Sequence, residues 1–210
     1  MKKKPLKYIL YIILAAVICY NSVYFKKLDE VKNSIGKTFD ATGFADKLWK
    51  EKMSVKMDSA IELTTYLQML HANPDAAFEK YSNALAIGNY RYSLVKTTAT
   101  VTAINPDDMD LAIVNNGSTI NVKLATEFIY GNAIRDASKL VDVRDFTNST
   151  DLNNISEALN KKVKNEVLPS FKAAVKKGNR IQIVVALEMN KEHIKLDGME
   201  LIPVRLQILP

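Results

Sequence analysis

Two adjoining segments concentrate the side chains best able to do chemistry. Residues 130–138 read YGNAIRDAS and residues 141–148 read VDVRDFTN, which brings Asn132, Arg135, Asp136, Arg144, Asp145 and Asn148 into one polar stretch. Such a set suits recognition better than bond-making. A guanidinium forms paired hydrogen bonds to a carboxylate or phosphate, and a loop on a rigid scaffold is where binding groups collect. Asn132, Arg135, Asp136, Asp145 and Asn148 are therefore the candidate ligand-binding residues. The competing expectation is structural. Arg135 pairs internally with Asp145 or Asp136 and holds the loop down, while Gly131 supplies an unusual backbone angle.

The other reactive residue types are scattered. Asp107, Asp108 and Asp110 make an acidic turn without EF-hand spacing or a distal Glu, so it reads as solvated rather than calcium-binding. His71 and His193 have no second histidine or cysteine near them, which argues against zinc. No Gly-x-Ser-x-Gly elbow, P-loop or dinucleotide glycine pattern occurs. The expectation is a protein with no catalytic residues, no metal and no cofactor, and not an enzyme. The single cysteine, Cys19, rules out an internal disulfide and is the one candidate for lipidation.

The elements that must position the polar stretch follow from periodicity. Residues 26 to about 92 read as helical, with Phe44, Leu48, Ile61, Leu67 and Leu70 at near-helical spacing. Asn73-Pro74-Asp75 starts a helix carrying Phe78, Tyr81 and Leu85 on one face. The period then drops to two. Residues 98–104, 111–114 and 120–124 alternate as strands, with Asn116-Gly117 as a hairpin turn between the last two. Residues 127–150 read as a long irregular stretch. A helix follows, capped by Asp151 or Asn154 and split at Pro169, with Ile155, Leu159, Val163, Val167 and Phe171 along it. Ile181, Ile183, Val185 and Leu187 mark one closing strand, and Ile202, Val204, Leu206 and Ile208 the other, with a turn at Asp197-Gly198 between.

Three strands, a helix and two strands is the chain order of an OB-type barrel. The expected fold is α+β. An N-terminal membrane helix over residues 1–25 leads to a helical stalk or packing region, 26–95. A small OB-like β-barrel, 96–210, follows, with a helix between its third and fourth strands. The expected strands carry no aromatic residues, and this argues against a nucleic-acid partner.

The net charge of +6 supports the same exclusion. Lys2, Lys3, Lys4 and Lys7 precede the first apolar run, and without them the chain is near neutral, unlike a phosphate-binding domain. Those lysines are a topology signal. Residues 8–25 carry no charge, are flanked by tyrosines, and approach the length of a bilayer core. The lysine excess keeps the N-terminus in the cytoplasm and sends the rest out. No small-residue pair marks a cleavage site, and Ile18 is a poor residue to precede a lipidated Cys19. The expectation is an uncleaved, single-pass signal anchor in a bacterial cytoplasmic membrane, contacting it through residues 8–25, with the globular part periplasmic.

The segments YNSVYFKKLDE (residues 20–30), NALAIGNYRYSLVK (83–96), YGNAIRDAS, DFTN and LIPVRLQI (201–208) resemble a family of predicted bacterial periplasmic lipoproteins classed as a domain of unknown function. The best-marked part is Gly131 to Asp136 with the following Asp145-Phe146-Thr147-Asn148. The resemblance implies no enzymatic activity and transfers no catalytic residue. It implies an accessory role associated with sugar ABC import and a membrane transporter as partner. Ile18 departs from the lipoprotein pattern. The alternative reading is a small-ligand-binding module using the Arg135 loop.

Overall fold

The computed structural model describes residues 4–22, 39–84, 88–195 and 198–210, in two compact units, Met1–Phe39 and Asp40–Pro210. Residues 23–38, most of them in the expected stalk, lie outside the described residues, as do Leu85 and Asp197.

In the first unit, helix α1 runs Lys4–Ser22. Among the described residues no helix is long and apolar enough to cross a membrane, so the span expected over residues 8–25 is not found. Lys4 and Lys7 occupy the first turns of α1, and the uncharged part, residues 8–22, rises about 22 Å at roughly 1.5 Å per residue. That falls short of a bilayer core of about 30 Å. Residues 23–25, which would complete the run, and the Cys19 side chain lie outside what is described.

The second unit opens with helix α2 (Ala41–Leu48), which continues through a π-helical turn (Trp49–Met53) into α3 (Ser54–Asp58). Ile61 is not helical. It begins a two-residue strand β1 (Ile61–Glu62) that pairs in parallel with Val95 and Lys96. Helices α4 (Leu63–Ala72) and α5 (Pro74–Tyr81) follow, and Asn73 caps α5 by accepting from the Ala76 N–H at 3.1 Å, with Pro74 in the first turn. A short β2 (Ser82–Asn83) leads to β3 (Tyr90–Ile104), which starts well before residue 98 because β1, β2 and β6 all offer it backbone partners. The longer β3 adds Tyr90 and Tyr92, so the sheet does contain aromatic residues.

Strands β4 (Asp108–Asn115) and β5 (Ser118–Ala125) form the expected hairpin, with Asn116 and Gly117 both at positive φ, 49° and 84°. Strands β6 (Arg180–Asn190) and β7 (Glu200–Ile208) complete the sheet. The pairings run β3–β4–β5–β7–β6, and β6 returns to β3 along its whole length, from Tyr90 opposite Asn190 to Thr100 opposite Arg180. This is the strand circuit of an OB-type sheet, left partly open. Among the described residues the parallel β5–β7 seam has two ladder pairs, Lys123–Glu200 and Leu124–Leu201, so the sheet is not a closed barrel.

The core fills the inside of this sheet. Val95, Leu111, Leu124, Ile183 and Leu201 meet Leu63, Tyr66 and Phe78 from α4 and α5, so the N-terminal helices share one core with the strands. The Tyr66 hydroxyl accepts from Ser93 Oγ at 2.7 Å, which satisfies the polar tip of a large buried ring. On β7 the expected alternation breaks at a bulge: Val184 faces Arg205 but Val185 faces Pro203. The extra residue, Val204, shifts the phase, so Leu201 and Pro203 are buried while Ile202 is only half-buried. Pro203 has no N–H to give a ladder, which suits it to this irregular position.

Candidate functional site

The polar stretch is less irregular than its composition suggests. Residues Ala133–Ser138 form a helix, α6, with all six residues buried, followed by a 3-10 turn at Val143–Asp145. Ala133, Ile134 and Ala137 supply a short apolar face, and this is what lets so short a helix sit inside the structure. The C-terminus of α6 turns through Lys139 in the left-handed conformation, φ 55°.

Arg135 lies inside this helix. Its Nε donates to Asp136 Oδ1 at 2.6 Å and its Nη1 donates to the Leu152 carbonyl at 2.9 Å. The two side chains are 4% and 2% exposed, so charge and counter-charge are removed from water together. Two of the surrounding bonds anchor α6 to other elements and one closes its own last turn. Asn83 Nδ2 donates to the Asp136 carbonyl at 3.1 Å, Ser138 Oγ donates to the Arg135 carbonyl at 2.7 Å, and Arg135 itself reaches the next helix. Arg135 therefore pairs with Asp136 and not with Asp145.

The remaining candidates separate. Asp145 is exposed and borders a small pocket of about 300 Å³ with Asn83, Lys139 and Asp142. Beside it, Arg144 holds the Asp142 carboxyl down at about 2, through side-chain hydrogen bonds first and a backbone N–H second. Asn148 caps helix α7 (Ser149–Lys162), its Oδ1 accepting from the Asp151 N–H at 2.9 Å, so the cap is neither Asp151 nor Asn154. Asn132 precedes α6 and accepts from Ser156 Oγ at 3.0 Å. The structure thus keeps Arg135 and Asp136 together and sends Asn132, Asp145 and Asn148 to different places.

Of three further features, the first two had no clear sequence signal, and the third is the expected helix break at Pro169. Asn132 borders an open groove of about 440 Å³ between the 129–132 loop and one face of α7. Asn160, buried on that face, donates from Nδ2 to the Gly131 carbonyl at 2.9 Å, and Gly131 takes φ 78° to present it. Near α6, Tyr92 on β3 faces Glu188 on β6, and burial, then the Glu188 and Asp136 charges, push the Tyr92 hydroxyl up to about 12. Although Glu188 as a residue is exposed, its carboxyl pKa is raised, by loss of solvent first and by the Glu200 and Asp136 charges after it. Finally, Pro169 interrupts α7 with a π-helical turn (Val163–Val167) before helix α8 (Leu168–Ala174). Just before that turn, buried Lys162 bridges Asp46 at 2.8 Å and Glu166 at 2.7 Å.

The acidic turn has its own cation. Lys123 Nζ lies 2.9 Å from Asp108 and 3.1 Å from Asp110. Among the described residues no group of three or more His, Cys, Asp or Glu could hold a metal ion.

Comparison with known proteins matches this geometry to a fold and a family. No curated protein matches the sequence. Among solved structures, the chain is similar to an OB-fold protein from Thermotoga maritima, at 26% identity and a TM-score of 0.72, over 82% of this chain and 100% of that one. Residues 13–207, nearly the whole chain, match the model of the family described as predicted periplasmic lipoprotein (DUF2291). The chain belongs to the DUF2291 family of predicted periplasmic lipoproteins.

Proposed function

We propose that this protein is a non-catalytic accessory protein outside the cytoplasm, tethered to a membrane by its N-terminal segment, whose globular unit works by contact and not by transforming a substrate. Helix α1 carries the reading. Every described side chain from Tyr8 to Tyr20 is exposed, although nearly all are apolar, and an apolar surface all around a helix calls for a lipid environment. The lysines at positions 2, 3, 4 and 7 hold the N-terminal end on the cytoplasmic side. The involvement of Arg135 with Asp136 and the Leu152 carbonyl supports a structural role for the best-marked segment.

Protease added to intact spheroplasts tests the topology: the region after Lys26 should be digested while a cytoplasmic control survives, and protection of that region would defeat the reading. The partner proposed is a membrane transporter, with sugar ABC import as the process. Cross-linking followed by purification from solubilised membranes should recover transporter subunits above a tethered control, and their absence removes the transporter from the proposal.

A further inference from the structure

The groove beside Asn132 is separate from the buried Arg135–Asp136 pair and is built from both sides. Ser156 and Asn160, on the buried edge of α7, hold the loop in place through Asn132 Oδ1 and the Gly131 carbonyl at 3.0 and 2.9 Å. The opening is therefore fixed before anything enters it. Its volume, about 440 Å³, falls within the range typical of small-molecule sites. Tyr130 stands at its edge 73% exposed, a flat apolar face without a covering neighbour.

The polar groups select the ligand. Because Asn132 Oδ1 is engaged by Ser156, the amide nitrogen of Asn132 remains as a donor. Lys161 and Glu157 neutralise each other at 2.7 Å. Lys164, brought to the groove by the π-helical turn ahead of Pro169, has no ion-pair or hydrogen-bond partner among the described residues. The groove thus combines one uncompensated ammonium, a free amide donor and an aromatic wall.

We propose that this groove binds a small organic anion: an apolar, planar body lying against Tyr130 and carrying a carboxylate or phosphate toward Lys164 and the Asn132 amide. The π-helical turn is then functional as well as a response to Pro169, since it sets which way Lys164 points. This inference goes beyond the tethered-accessory reading and does not depend on the topology.

Titration calorimetry of the full chain in detergent, corrected against empty micelles, tests it with benzoate, phenyl phosphate and the neutral benzyl alcohol. Both anions, or one of them, should bind at about 10 mM or tighter, as expected of probes this small. Which anion binds tighter distinguishes a carboxylate site from a phosphate site. Lys164→Gln, an exposed change that removes no internal contact, should weaken anion binding about tenfold while leaving the melting temperature unchanged. Tyr130→Ala should weaken it as well. The proposal is overturned if neither anion binds, if benzyl alcohol binds as well as the anions, or if Lys164→Gln leaves the affinity intact.

Discussion

Arg135 and Asp136, consecutive residues in a six-residue helix, form a buried ion pair with Nε 2.6 Å from Oδ1. Consecutive helical positions point in different directions, so a pair at this spacing forms only when the long side chain folds back over its own turn. The Leu152 carbonyl, accepting from the other end of the guanidinium, makes that conformation productive. The pair ties α6 to α7 and keeps two charges satisfied where water cannot reach them.

Removing one partner of such a pair leaves the other charge buried and alone, at a cost of about 3–5 kcal/mol. Arg135→Ala should therefore lower the urea midpoint strongly at unchanged slope, against a typical total stability of about 5–15 kcal/mol. An unchanged midpoint would show that the guanidinium is not structural and would restore Arg135 as a recognition residue.

Asn148→Ala removes the cap of α7 and should cost about 1 kcal/mol. Asn148→Ser, which keeps an acceptor at the same place without setting a second carboxylate against Asp151, whose Oδ2 accepts from Asn148 Nδ2 at 2.9 Å, should recover most of it. Denaturant melts of the three proteins decide. A loss equally large in both variants would indicate a role other than capping.

Glu188 gives a pH dependence whose sign is set by its environment. Its folded pKa is raised from 4.5, so the folded chain holds this proton to higher pH than the unfolded chain does. Stability from this group is then greatest at low pH and declines as the pH climbs from 4.5 through the raised folded value. Asp108 and Asp142 act in the opposite sense and lower down: their folded pKa values are depressed below 3.8, so their contribution is present above 3.8 and lost as the pH falls. Comparing wild type with Glu188→Gln between about pH 4 and 8 isolates the Glu188 effect. The stability gap between the two should change across that window in favour of the variant at higher pH. A constant gap would contradict it.

The tether makes a chemical prediction. Ile18 before Cys19 disfavours lipidation and no small-residue pair marks a cleavage site, so the membrane-extracted protein should have the intact mass of the uncleaved chain. A mass corresponding to an acylated N-terminal Cys19 would instead make it a lipoprotein in the sense of its family description.

What the residues alone determined is whatever depends on near neighbours in the chain. Asn73-Pro74 starts a helix because an amide cap and a fixed φ act within one turn, and Asn116-Gly117 makes a hairpin because both residues tolerate positive φ. Pro169 breaks its helix because the ring removes one donor and crowds the carbonyl four residues back. The strand-helix-strand order was legible for the same reason, from period-two alternation on strands buried on one face. Tertiary structure decided the rest. Ile61 became a strand because β3 had an open edge for it, and β3 began at Tyr90 because three partners were available there. Val184 and Ala186, on the face opposite Ile183 and Val185, are also buried, which hides alternation from any reading that assumes one wet face. The polar segment around Arg135 looked like a loop because its composition is polar. It is a buried helix because Asp136, Asn83 and the Leu152 carbonyl, the last two far away in sequence, converge to satisfy that polarity.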